Sequence, residues 1–104
     1  MPPSTGSELI HAERIRQIEA EDFDFEHDDE HTDGELIGAA IVYALTVKNG
    51  DKEPHRVIPP MTFWPYQWDE RWCRRFDDPI RMLVKAGALL AAEIDRLQRI
   101  EDAT

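Results

Sequence analysis

An all-α fold, a small bundle of three main helices plus a short aromatic helical turn, is predicted by three features of the chain. Apolar residues recur at helical spacing from Ile80 to Leu97. The stretch from Leu36 to Leu45 is apolar on nearly every side, which suits a buried helix. Ser7, Asp33 and the pair Asp78-Pro79 each stand where a helix start is expected. The length of 104 residues fits one domain, here residues 8–104 behind a loose Pro/Ser/Gly arm at residues 1–7. A core of this size is marginal by itself, so a homo-oligomer is expected.

The first helix is expected from Glu8 to about Glu21, capped by Ser7, with Leu9, Ala12, Ile15 and Ile18 as a narrow apolar stripe. Residues 19–35 form an acidic loop in which Phe23 and Phe25 alternate with acids and then give way to Glu26-His27-Asp28-Asp29-Glu30-His31. Repulsion among these charges opposes ordering unless a cation or a basic partner is bound. Asp33 is the expected N-cap of a helix from Gly34 to about Lys48, with Glu35 in its first turn and Asn49-Gly50 as a left-handed exit. Its all-round apolarity marks it as the central, buried helix, although Ile41-Val42 also suits a strand.

Residues 50–78 read as a Pro/Trp-rich connector, because Gly50, Pro54, Pro59, Pro60 and Pro65 break regular structure. Trp64, Trp68 and Trp72, spaced by four, place a helical turn within it. The last helix begins at Asp78-Pro79 and runs to about Ile100, with Ile80, Leu83, Val84, Gly87, Leu90, Ala91, Ile94 and Leu97 as its core stripe. Gly87, Ala88, Ala91 and Ala92 leave room for a close helix approach, a subunit interface among the options.

Charge is placed unevenly. The formal net charge is −10, and the 17 residues from Glu19 to Glu35 hold 10 acids with no Lys or Arg, leaving 12 acids against 12 bases elsewhere. Such a segment repels nucleic-acid backbones and suits cations or a basic protein surface, so direct binding to DNA or RNA is not expected. The single Cys73 cannot form an internal disulfide and points to a reducing compartment, the cytoplasm. No apolar run reaches the roughly 18 residues of a membrane span, and residues 1–6 lack a signal-peptide layout.

Three groups of residues could carry chemistry. The acidic loop running into the second helix offers Asp28, Asp29, His31 and Glu35 as oxygen and imidazole ligands for Mg²⁺ or Mn²⁺. Calcium-loop and HExxH spacings are both absent, and a solvated acidic loop is the plain alternative. On the last helix Lys85 and Glu93, eight residues and about 80° apart, could meet a phosphate and a metal or base edge. The plainer reading, and the favoured one, is a pair of exposed charges flanking the core stripe. Phe63, Trp64, Tyr66, Trp68 and Trp72 could stack a nucleobase or simply close the core. Arg71, Arg74 and Arg75 could contact phosphate or pair with the acidic loop, and Cys73 lacks the setting of a nucleophile.

Several short motifs, taken together, resemble a family of small phage and prophage proteins. They are Arg16-Gln17-Ile18, Glu26-His27-Asp28-Asp29-Glu30-His31, Gly34-Glu35-Leu36, Ala39-Ala40, Tyr43-Ala44 and Trp64-Pro65. The run from Lys85 to Ile94 with Arg96 extends the likeness, which spans about Glu13 to Arg99. Members are described as dATP/dGTP diphosphohydrolase-like and are related to the MazG-type all-α nucleotide pyrophosphohydrolases. The resemblance implies an oligomeric helical bundle in which an E-E-x-x-E and a later E-x-x-D motif hold Mg²⁺ on a purine nucleoside triphosphate, so that water releases pyrophosphate. Glu35 is then the catalytic position, Lys85, Glu93 and Trp64 the nucleotide contacts, and Asp28, Asp29, His31 and Glu35 the metal ligands.

The chain departs from that pattern where it matters for catalysis. With His31-Thr32-Asp33-Gly34-Glu35 laid on the first motif, only Glu35 matches a glutamate, and Met82 with Lys85 falls on the E-x-x-D pair. Three readings follow: a Mg²⁺-dependent dNTP diphosphohydrolase, a non-catalytic binder of a nucleotide immune signal, and an acidic anti-defence protein. In the last, Asp28, Asp29 and Glu30 imitate nucleic-acid phosphates against a basic host immune complex such as CRISPR-Cas.

Overall fold

The computed structural model describes residues 4–20, 34–49, 63–65, 68 and 78–103. These form three helices, α1 (Gly6–Ala20), α2 (Glu35–Asn49) and α3 (Pro79–Ala103), with no strand among the described residues. The all-α expectation is therefore met, and Ile41-Val42 lies within a helix. Most of the acidic loop and of the 50–78 connector lies outside the described residues, as do Cys73, Tyr66, Trp72 and the arginines at 71, 74 and 75.

Each helix starts on an identifiable cap. The carbonyl of Thr5 accepts from Leu9 N–H, so Thr5 rather than Ser7 is the first cap, two residues earlier than expected. Thr5 and Glu8 form a reciprocal capping box: the Glu8 N–H donates to the Thr5 hydroxyl, and Glu8 Oε1 accepts from the Thr5 N–H at 2.9 Å. The Thr5 N–H, and second the Thr5 hydroxyl, which donates to the same Oε1 at 2.8 Å, hold the Glu8 carboxyl below its ordinary 4.5. Gly34 caps α2, its carbonyl accepting from Gly38 N–H and its φ of 80° suiting a residue without Cβ. The expected cap Asp33 is one residue earlier and lies outside the described residues. Asp78 caps α3 as expected, its Oδ1 accepting from Ile80 N–H at 3.0 Å.

The helix that organises the fold is α3, which packs against both other helices while α1 and α2 scarcely touch. This corrects the expectation that the apolar α2 is central. Leu36, Ala39, Ala40, Val42 and Tyr43 of α2 are buried together with Met82, Ala86, Leu89 and Ala92 of α3 and with Trp64. Alanines on both sides of the seam let the two backbones come close. Ala88 and Ala92 are buried and Gly87 lies against Ile10 of α1, so these small residues of α3 serve contacts within the chain.

Two expectations about sidedness are overturned. The residues that α1 buries are Glu13, Arg14 and Gln17, whereas Ala12 and Ile15 of its expected stripe are exposed. On α3 the buried set is Met82, Val84, Ala86, Ala88, Leu89, Ala92, Glu93 and Arg96. Ile80, Leu83, Leu90, Ile94 and Leu97, expected to face the core, are exposed. The sequence offers α3 two apolar faces, and the alanine-rich one fits the closely packed seam with α2 better than branched side chains do.

Two glycines mark close approaches. A Cβ on Gly38 of α2 would collide with the backbone carbonyl oxygen of Phe63, whereas one on Gly87 would meet the Ile10 side chain at 2.6 Å. Alanine favours a helix over glycine by up to about 1 kcal/mol, so the two substitutions separate propensity from packing. Gly38→Ala is expected to destabilise by about 2 kcal/mol because backbone must move, and Gly87→Ala by under about 1 kcal/mol because Ile10 can change rotamer. Thermal melts of the two variants check the order.

Candidate functional site

Three clusters of polar and aromatic side chains lie on or against α3. The first is at its seam with α2. Lys85 is half-buried there with its Nζ 5.8 Å from the centre of the Tyr43 ring, within reach of a cation–π attraction. Tyr43 also meets Trp64 edge-to-face, with centroids 5.9 Å apart, and Trp64 meets Trp68 in the same way at 5.7 Å. Trp64 Nε1 donates to the Trp68 carbonyl at 3.3 Å. Trp64 is thus a core residue at the edge of the α2–α3 seam.

The second cluster is Glu93 with Arg96, one turn apart on α3 and both buried. The guanidinium grips the carboxylate with two bonds, Nε to Oε1 at 2.7 Å and Nη2 to Oε2 at 3.0 Å. Lys85 and Glu93 share the inward side of α3, separated by about 12 Å of helix rise. Tyr43 brings Lys85 and Trp64 together, whereas Glu93 is already bound to Arg96.

The third cluster joins α1 to α3. The fully buried Glu13 carboxylate accepts from Arg16 Nε and Nη2, each at 2.8 Å, from Gln17 Nε2 at 3.1 Å, and pairs with Arg81 Nη1 at 2.7 Å. On the other side of α1, Arg14 reaches Asp95 at 3.7 Å. Arg81 and Asp95 are about 21 Å apart along α3 by helix rise, so α1 crosses α3 instead of running beside it. An open groove of about 340 Å³ lies at the crossing, lined by Leu9, Glu13, Arg16, Ile80, Arg81 and Val84 among others.

Glu35 sits half-buried in the first turn of α2, where the positive end of the helix dipole favours a carboxylate. It is the one expected metal ligand that is described; Asp28, Asp29 and His31, like Glu30, lie outside the described residues. Among the described residues no three His, Cys, Asp or Glu side chains converge as a metal shell would require. No described helix is long and apolar enough to cross a membrane.

Sequence reasoning missed Tyr43 as the contact of Lys85 and missed Glu13 altogether. Tyr43 was the one polar-tipped ring in an aliphatic helix, a signal that could have marked it. Glu13 and Arg16 at i,i+3 have the form of an ordinary surface pair, and only docking against a distant segment, Arg81 included, buries Glu13. No family model, no curated protein and no solved structure matches the chain.

Burial pushes the Glu13 carboxyl up, but the Arg16 hydrogen bonds and the charges of Arg81 and Arg16 outweigh it, leaving the group below its ordinary 4.5. A depressed carboxylate stabilises the fold above the unfolded-state value, and that contribution is lost as pH falls through the folded-state value. Glu13→Gln is expected to cost about 2 kcal/mol near neutral pH, less than a fully buried pair because both arginines keep water contact. The loss reads as a melting shift of roughly 10 °C. Melts across pH check it: the gap to the wild type should hold from about pH 8 to 6 and close below about 4.5.

Proposed function

We propose that the chain binds a purine nucleotide, of the kind that MazG-type diphosphohydrolases act on, in the bacterial cytoplasm, with Lys85 meeting the phosphates. The observation that supports this reading is the state of the inward charges. Glu13 and Glu93 are held by arginines, whereas Lys85 makes no ion pair among the described residues and stands half-buried over an aromatic ring. A compact ammonium in that setting is a strong point donor for phosphate oxygens. The Tyr43 ring is itself buried, so it orients the ammonium and offers no face to a base.

The described residues alone do not furnish a divalent-metal shell, because both Glu93 oxygens are engaged by Arg96 and Glu35 is the only described member of its proposed set. Glu35 remains the proposed carboxylate of a Mg²⁺ or Mn²⁺ site shared with Asp28, Asp29 and His31.

Calorimetric titration with dATP and dGTP, with Mg²⁺ and with a chelator, tests the binding. The wild type should bind, Lys85→Ala should weaken binding about tenfold or more, equal to roughly 1.4 kcal/mol, and Lys85→Arg should restore most of it. No binding by the wild type, or an unchanged affinity in Lys85→Ala, rejects the reading. Pyrophosphate release by the wild type that disappears in Glu35→Gln would extend it to catalysis. A chain that binds no nucleotide but captures a basic partner in a salt-sensitive way would support the phosphate-imitating alternative instead.

A further inference from the structure

The outward face of α3 carries the reverse of the expected surface chemistry. From Pro79 to Leu97 every exposed residue of the helix is apolar, while Arg81, Lys85, Glu93, Asp95 and Arg96 are turned toward α1 and α2. Ile80 is 63% exposed, Leu83 47%, Leu90 43%, Ile94 57% and Leu97 49%. With Gly87 these positions are separated by three, four, three, four and three residues, the alternation of a coiled-coil seam. Arg81 and Asp95 keep water contact at the α1 side of the helix, and past Leu97 the exposed residues include Glu101 and Asp102.

We propose that this face is covered by a second copy of the chain, α3 against α3, running antiparallel about a two-fold axis between Gly87 and Leu90. Three arguments select this occupant. The spacing reads the same in both directions, so an antiparallel copy matches Ile80 with Leu97 and Leu83 with Ile94, and sets Leu90 beside Gly87, where Ile10 of α1 already fills the room that a Cβ would take. Such self-complementarity is what an isologous contact requires and a different partner does not.

Area points the same way. The five side chains leave on the order of 400 Å² of apolar surface in water, the size of patch that on a monomer often marks a functional surface. Two such faces with their flanking residues reach the roughly 1,000 Å² expected of a specific interface. Charge decides the orientation. A parallel pair would set Glu101 and Asp102 against their own counterparts, whereas an antiparallel pair brings them to the N-terminal end of the other α3, the positive end of its dipole. A seam free of charge over about five turns also lets two chains of net charge −10 meet without opposing like charges across it.

Sedimentation equilibrium on the full chain tests the proposal, independently of any nucleotide. The wild type should show twice the 12.1 kDa chain mass at micromolar concentrations. Leu90→Glu/Ile94→Glu should raise the dissociation constant at least 100-fold while the helical circular dichroism stays unchanged. A second set of variants removes any dependence on that one folding. With Cys73→Ser as background, Leu83→Cys/Ile94→Cys should oxidise to a covalent dimer, whereas Leu83→Cys alone should not link to itself. A wild type of 12.1 kDa throughout overturns the proposal, whether a segment of the same chain or a different partner then proves to cover the face. A dimer indifferent to the glutamates, or efficient self-linking by Leu83→Cys, overturns it as well.

Discussion

The way α1 meets α3 depends on one carboxylate that has been taken out of water. Glu13 is among the largest fully buried side chains of the described residues, beside Leu36 and Val42, and burying an ion is costly unless it is neutralised and hydrogen-bonded. Arg16 and Gln17, one turn on in the same helix, supply part of that compensation without any tertiary structure. Arg81 supplies the rest, and it does so only when α1 lies across the N-terminal half of α3. A charge that is satisfied in one arrangement specifies that arrangement more sharply than apolar contact, which tolerates sliding.

The seam between α2 and α3 follows a different rule. There the contacts are made by alanines, Leu36, Met82 and Leu89, with aromatic rings closing the edge. Gly38 lets the backbone at Phe63 come against α2, and that approach seats Trp64 on Tyr43. Lys85 therefore lies over a ring that Trp64 holds by an edge-to-face contact. The position of this cation is a consequence of packing, and the nucleotide reading rests on it.

With one seam closed largely by alanines and the other by ions, α3 buries Met82, Val84 and Leu89 and keeps its other large aliphatic residues outside. Ile80, Leu83, Leu90, Ile94 and Leu97 remain on the outside as a regular row. The single-chain structure thus leaves an apolar helical face in water, while Glu13, Glu93 and their arginines lie inside. That inversion is what connects the internal packing to the assembly proposed for the protein.

The sequence by itself determined the all-α class, the existence of all three helices and the start of α3 at Asp78, because periodicity and capping are local properties. It also marked Lys85, Glu93, Trp64 and Glu35 as residues to watch, though not their neighbours. Which face of each helix turns inward was decided by the tertiary structure alone. A single helix carrying two apolar rows cannot reveal which row a distant segment will choose, and an i,i+3 Glu–Arg pair looks the same in water and in a core. The physical reason is that burial depends on partners remote in the chain: the alanines of α2, the guanidinium of Arg81 and the backbone at Phe63.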